Sequence, residues 1–318
     1  MITYILFVVG FIILIKGADL LVDGASSIAR KFHISTLVIG LTLVSFGTSA
    51  PELIINLVAS MEGKQDIAIG NILGSNIANT LLILGISALI YPLVVHKSTV
   101  WKEIPFSVLA VLVLAFLVSD VIFGGEDTAM LSRNDGLVLL ALFVIFMYYT
   151  FSIAKEHHEQ SDIEVKELSD LKSIIYIILG ILGLGFGGPM IVDGAVKISK
   201  NIGMSESFMG LTIIALGTSL PELATSAVAA YKKNSDIAIG NIVGSNIFNV
   251  LWILGISSLI KPLAFNSSNI VDLYMVVFVS IILFLSIFIG KRRSIGRLEG
   301  LFFLLVYVAY IIYLVYKG

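Results

Sequence analysis

Apolar residues along this chain neither alternate nor gather in short patches. They run on until a charge stops them, at 2–28, 37–60, 66–91, 100–122 and 135–153, then at 174–199, 207–231, 236–260, 269–290 and 298–316. A helix of about 20 such residues spans the roughly 30 Å hydrocarbon layer of a bilayer. The pattern therefore predicts an all-α integral membrane protein with ten transmembrane helices. A polar stretch, AKEHHEQSDIEVKELSDLKS, divides them five and five. The expected organisation is a first five-helix repeat at 1–153, a short connector at 154–173 and a second five-helix repeat at 174–318.

Two of the runs are disturbed in the same way. LTLVSFGTSAPELIINLVASM (41–61) and LTIIALGTSLPELATSAVAAY (211–231) each place a Gly-Thr-Ser, a Pro and a Glu in mid-span. An ionised side chain near the bilayer midplane costs several kcal/mol, and a broken helix frees backbone groups that lipid cannot satisfy. Sliding the sequence on itself by 170 residues explains the repetition: about 30 of the roughly 50 positions from Gly40 to Pro92 are identical to those from Gly210 to Pro262. The match extends upstream to Gly24 and Gly194 in VDGA. Because five is odd, two tandem copies enter the membrane from opposite sides, the inverted-repeat arrangement of secondary transporters.

Composition agrees with the pattern. The 318 residues are 58% hydrophobic and 13% charged, and the mean hydropathy is +1.02. A net charge of −2 with no basic domain argues against a nucleic-acid partner, and no obligatory protein partner is evident; membrane lipid is the expected surround. The absence of cysteine excludes thiolate metal sites. The first run lacks a basic n-region and is too long for a signal-peptide h-region, so it reads as a mature helix. Lys and Arg crowd one set of loops (Arg30, Lys31, Lys97, Lys102, Lys155, Lys166, Lys172, Lys232, Lys233, Lys291, Arg292, Arg293 and Arg297), which marks that side as cytoplasmic. Both termini then lie outside a cell membrane.

The candidate chemistry lies in the duplicated segments. Thr48 and Glu52 share a helical face, as do Thr218 and Glu222. Pro51 and Pro221 predict breaks that turn the carbonyls of Ser45 and Ala215 toward a cation. GNILGSNIAN and GNIVGSNIFN put Asn71, Ser75 and Asn79, and Asn241, Ser245 and Asn249, in polar stripes at intervals of four, beside small glycines that admit close neighbours. Opposed repeats bring Glu52, Asn79, Glu222 and Asn249 together near mid-depth. Two carboxylates, amide oxygens and hydroxyls, with no His inside any span, form a hard oxygen set suited to Ca²⁺ or Na⁺ rather than Zn²⁺ or Cu²⁺. The bland role of the same Asn and Ser residues is interhelical hydrogen bonding, weighed most heavily for Asn71, Asn76, Asn241 and Asn246. Asp23 and Asp193 read as interfacial anchors, and Lys16 with Asp19 as a local ion pair. His33, His96, His157 and His158 fall in connecting segments.

GTSAPE with GNILGSNIAN, and GTSLPE with GNIVGSNIFN, resemble the two signature repeats of the calcium/cation antiporter superfamily, most closely its sodium/calcium exchanger branch of prokaryotic type. The resemblance implies a secondary active antiporter that exchanges Ca²⁺ for Na⁺ by alternating access, with no cofactor. Its ion ligands are then Glu52 and Glu222 at the centre, Asn79 and Asn249, the hydroxyls of Thr48, Ser49, Thr218, Ser219, Ser75 and Ser245, and the carbonyls of Ser45 and Ala215. Exchangers of that branch often carry an acidic residue where this chain has Asn249, which leaves H⁺ or K⁺ open as coupling ions. The short connector leaves no room for the large cytoplasmic calcium-sensing domains of animal exchangers. A passive cation channel lined by the same acids is the alternative from another class. An intramembrane hydrolase finds no nucleophile–base pair or HExxH motif.

Overall fold

The protein, described by a computed structural model over residues 2–119, 129–154, 168–201, 215–288 and 293–317, is nearly all helical. The spans are α1 (Ile2–Lys31), α2 (Thr36–Thr48 and Ala50–Glu62, bent by 48°), α3 (Gln65–Ile90), α4 (Glu103–Leu117), α5 (Arg133–Ile153), α6 (Asp170–Asn201), α7 (Ala215–Gly217 and Leu220–Tyr231), α8 (Ser235–Ile260), α9 (Ser267–Ser286) and α10 (Arg297–Lys317). Eight of these are long and apolar enough to cross a membrane alone, and the bent pair of α2 makes nine. The tenth expected span, 207–231, is described only from Ala215; the rest of it, and most of the 154–173 connector with His157, His158 and Lys166, lie outside the described residues.

Helix ends differ modestly from the sequence expectation, and for electrostatic reasons. α6 begins at Asp170 rather than at 174, and α1 continues to Lys31 rather than stopping at 28. An acid in the first turn and a base in the last turn both favour the helix dipole, and the Lys31 ammonium ion-pairs with Asp170, tying the two ends together. Four strands of two or three residues also form: β1 (Leu93–Val94), β2 (Ala129–Leu131), β3 (Leu263–Phe265) and β4 (Ser294–Ile295).

Those strands display the inverted symmetry. β1 pairs antiparallel with β4, and β2 with β3. By the 170-residue offset β3 is the second copy of β1, so the β1–β4 ladder of one membrane face is repeated as β3–β2 on the other. Side-chain contacts sort in the same way. Lys31 with Asp170, Lys232 with Asp23, and His96 with Asp236 belong to the face of β1, whereas Gln65 with the Pro262 carbonyl and Asn266 with Asp66 belong to the face of β3. Two five-helix repeats thus cross the membrane in opposite senses.

Burial grades the spans into layers. The most apolar window of α8 is 94% buried inside the protein and that of α3 is 78%, against 22% for α10, so α3 and α8 are central while the other single helices face lipid. α2 approaches α8 at backbone distance: a Cβ on Gly240 would fall 2.9 Å from the Leu37 carbonyl oxygen, and one on Gly244 2.8 Å from that of Leu41. Only glycine admits that crossing, which carries the break in α2 to the middle of α8. α1 and α6 pack chiefly on each other, through a seam where a Cβ on Gly17 would meet the Leu184 nitrogen at 2.9 Å and one on Gly180 the Leu21 nitrogen at 2.7 Å.

Candidate ion-binding centre

Both disturbed helices break at the same residue and with the same backbone. Ser49 has φ −83° and ψ 6°, and Ser219 has φ −86° and ψ 4°, between the helical segments on either side. Pro51 and Pro221 follow in the first turn of the new segment, where a missing N–H costs nothing. Glu52 and Glu222 stand in that same first turn, at a helix N-terminus that favours negative charge. The Ser45 carbonyl is not freed by the break: it accepts the Ser49 N–H at 2.9 Å. Pro51 removes the donor of the carbonyl four residues before it, which is that of Gly47. Ala215 heads the described part of α7.

In α3 and α8 the corresponding disturbance is a π-helical turn. It begins at Asn79 (Asn79–Ile83) in one and includes Asn249 (Phe248–Ile253) in the other. The extra residue in such a turn re-aims the side chains around it, and π turns gather at functional positions.

These elements place the residues of the two repeats against one another with matching contacts. The Ser49 hydroxyl lies 2.9 Å from Glu222 Oε1 and 3.0 Å from Ser245 Oγ; its copy Ser219 lies 3.5 Å from Glu52 Oε1 and 3.1 Å from Ser75 Oγ. Ser75 donates to Glu52 Oε1 at 3.4 Å, and Ser245 to Glu222 Oε1 at 3.4 Å. Thr48 donates to Asn241 Oδ1 at 3.0 Å, and Thr218 to Asn71 Oδ1 at 3.1 Å, and the same two hydroxyls neighbour Glu222 and Glu52 respectively. The amide of Asn79 donates to Asn246 Oδ1 at 3.1 Å and that of Asn249 to Asn76 Oδ1 at 2.9 Å.

Every carboxylate bond falls on one oxygen. Glu52 Oε2, Glu222 Oε2, Asn79 Oδ1 and Asn249 Oδ1 are all buried, and none has a hydrogen-bond donor. A buried acceptor without a donor costs on the order of 1–3 kcal/mol, more if charged. Four of them in a duplicated set are the arrangement a dehydrated cation would satisfy. Both acids are only 1% exposed, so the set is shielded from lipid and water.

Comparison with known proteins decides the family. The profile described as Sodium/calcium exchanger protein matches residues 2–152 and 172–316. The chain belongs to the sodium/calcium exchanger family. It is a membrane-embedded antiporter, and among its relatives are the "Putative antiporter CaxA" of Alkalimonas amylolytica, 37% identical over 95% of both chains, and the "Sodium/calcium exchanger MaX1" of Methanosarcina acetivorans, 30% identical over 99% of both. A structure of the sodium-calcium exchanger NCX_Mj, soaked with Na⁺ and Sr²⁺, superposes with a TM-score of 0.83 at 34% identity, covering 98% of both chains. Of the four asparagines for which interhelical bonding weighed most heavily, Asn71 and Asn241 accept from Thr218 and Thr48, while the amides of Asn76 and Asn246 meet those of Asn249 and Asn79 across the repeats; their place in the duplicated GSN triplet is the signal for them.

Proposed function

We propose that this chain exchanges Ca²⁺ for Na⁺ across the cell membrane by alternating access to a single centre between Glu52 and Glu222. The observation that carries this reading is that Glu52 Oε2, Glu222 Oε2, Asn79 Oδ1 and Asn249 Oδ1, at equivalent positions of the two repeats, are among the buried oxygens without donors. The serine hydroxyls of Ser49, Ser75, Ser219 and Ser245, the threonine hydroxyls of Thr48 and Thr218, and the carbonyls of Ser45 and Ala215 are the further ligands of this reading. Two carboxylates neutralise one Ca²⁺ or two Na⁺, so the ions compete for the same charge, and competition for shared ligands is the simplest physical route to exchange. The repeats 1–153 and 174–318 act as the two inverted units, the Lys- and Arg-rich face is cytoplasmic and both termini are outside. Against a channel stands the enclosure of the centre, whose acids sit beside two broken helices instead of lining an open path.

The deciding experiment is ⁴⁵Ca²⁺ uptake into proteoliposomes driven in turn by Na⁺, K⁺ and H⁺ gradients. Uptake driven by an outward Na⁺ gradient, and not by the others, is the expected result. Uptake that follows a proton gradient alone overturns the coupling, and flux that persists with no counter-ion on the far side makes the protein a channel.

A further inference from the structure

An asparagine side chain has two ends of nearly identical shape and opposite polarity, and only the oxygen end can hold a cation. Asn79 and Asn249 therefore need something to keep their oxygens inward. The surrounding bonds supply it, and one of them removes any ambiguity. The Asn76 amide nitrogen lies 3.3 Å from the backbone carbonyl oxygen of Asn246. A backbone carbonyl can only accept, so this contact fixes which end of Asn76 is nitrogen. Its other end, Oδ1, must then accept, and it does, from Asn249 Nδ2 at 2.9 Å. That leaves Asn249 Oδ1 buried and with no donor.

The other half is anchored differently. Asn79 Nδ2 donates to Asn246 Oδ1 at 3.1 Å, and Asn246 Nδ2 donates to the Thr80 hydroxyl at 3.0 Å. By the repeat offset the counterpart of Thr80 is Val250, which offers no acceptor. The missing hydroxyl explains why Asn76 turns to a backbone carbonyl where Asn246 uses a side chain. All of these asparagines and Thr80 are buried.

We propose that Asn76 and Asn246 are positioning residues that hold the amides of Asn249 and Asn79 oxygen-inward, and so make two neutral oxygens part of a centre for a dehydrated hard cation such as Ca²⁺. The Asn76–Asn249 contact is the stronger of the two locks, since it ends on a backbone group that cannot reverse. The inference rests on the reading of Glu52 and Glu222 as an ion centre, and it adds what a carboxylate at position 249 does not need: an amide has a wrong end, whereas a carboxylate has two equivalent oxygens.

The test is Ca²⁺ titration of the purified full chain, read both as cation-induced rise in thermal midpoint and as the half-saturating Ca²⁺ of proteoliposome flux. Asn76→Leu removes the acceptor, and the half-saturating Ca²⁺ is expected to rise at least about tenfold with maximal flux largely kept, in line with losses seen when groups behind metal ligands are removed. Asn76→Asp keeps an acceptor for Asn249 but sets its other oxygen against the Asn246 carbonyl, so its half-saturating Ca²⁺ should fall between those of the wild type and Asn76→Leu. In an Asn249→Asp background, Asn76→Leu should cost nothing further. Thr80→Val, which installs the residue its counterpart already has, releases the Asn246 anchor and should give a smaller rise. An unchanged Ca²⁺ midpoint in Asn76→Leu overturns the proposal, as does an equal penalty with and without Asn249→Asp. Should Asn76→Leu not fold, an unchanged midpoint in Thr80→Val overturns it. A wild type that responds to no cation instead overturns the ion-centre reading itself.

Discussion

The centre of the molecule and its rims follow the repeat with very different fidelity. At the centre, nearly every contact has a partner at the 170-residue offset: Ser49 on Glu222 and Ser219 on Glu52, Ser49 on Ser245 and Ser219 on Ser75, Thr48 on Asn241 and Thr218 on Asn71. At the rims the correspondence fails. The Lys232 ammonium, at the end of α7, lies 2.5 Å from Asp19 and 2.6 Å from Asp23 on α1, and also donates to the Asp19 carbonyl at 3.1 Å. The counterparts of Lys232 and Asp23 are Glu62 and Asp193, two acids, and that of Asp19 is Pro189. Under the alternating access proposed above, a cation met from either side demands equivalent ligands, which accounts for the symmetry of the centre. The rims carry no such demand, and there one face has a clamp between α1 and α7 that the other cannot form.

Which face holds the clamp has an all-or-none answer. In intact cells, Arg133→Cys, beside β2, should react with an impermeant maleimide from outside, and Lys233→Cys, beside the clamp, only after the membrane is opened. Labelling of both from one face breaks the inverted arrangement; the reverse pattern keeps it and turns the clamp outward.

Next in size is loss of either acid. Glu52→Gln and Glu222→Gln should each lower ⁴⁵Ca²⁺ flux by about a hundredfold or more while the protein still elutes as a folded species, because a divalent ion is left with half its compensating charge at a buried site. Symmetry demands that the two losses match within about threefold. Near wild-type flux in either variant removes that residue from the ion centre.

The clamp sets the third scale. Lys232→Met removes the ammonium from Asp19 and Asp23, and with Lys232 a quarter exposed the cost should be about 1–2 kcal/mol, less than for a fully buried pair. That corresponds to a thermal midpoint lower by roughly 3–6 °C. Glu62→Met at the opposite rim, where Glu62 pairs locally with exposed Lys64, should move it by about 1 °C or less. Equal shifts would erase the distinction between the two faces.

How much of this the sequence disclosed depends on the scale of the signal. Ten spans are legible because an apolar run of membrane length is a long pattern, and the centre is legible because its motifs occur twice. The π turns at Asn79 and Phe248 and the paired strands at Leu93 and Leu263 are not, since an inserted residue or a two-residue ladder leaves no period to detect. Lys232 looked like an ordinary cytoplasmic charge because its partners lie more than 200 positions away. The stripes of Asn and Ser were visible, but which amide donates to which is decided by the register between α3 and α8. The Ser45 carbonyl went the other way: the break was legible, and the helix nevertheless kept that bond.

The smallest effect probes the one asymmetry inside the centre itself. A third carboxylate can be placed at either of two equivalent positions, by Asn79→Asp or by Asn249→Asp, and a perfectly symmetric centre would respond equally. The neighbours predict otherwise. A carboxylate at 79 needs a donor where Asn246 now presents Oδ1, and Asn246 can supply one by reversing its amide, because Thr80 can donate a hydroxyl hydrogen as readily as accept one. Asn76 cannot reverse: turning it would set its oxygen against the Asn246 carbonyl, acceptor to acceptor. The carboxylate at 249 would therefore face Asn76 Oδ1 unsupported. An added negative charge at the centre strengthens binding of Na⁺ relative to a neutral amide, so the Na⁺ concentration that half-inhibits Ca²⁺ uptake should fall in Asn79→Asp by about three- to tenfold, the worth of one charge-assisted contact partly offset by desolvation. In Asn249→Asp the fall should be smaller, and Thr80→Val added to Asn79→Asp should reduce the two to the same value. Identical responses in the two single variants, or no effect of Thr80→Val on the first, would mean that the anchors behind the asparagines do not distinguish the halves.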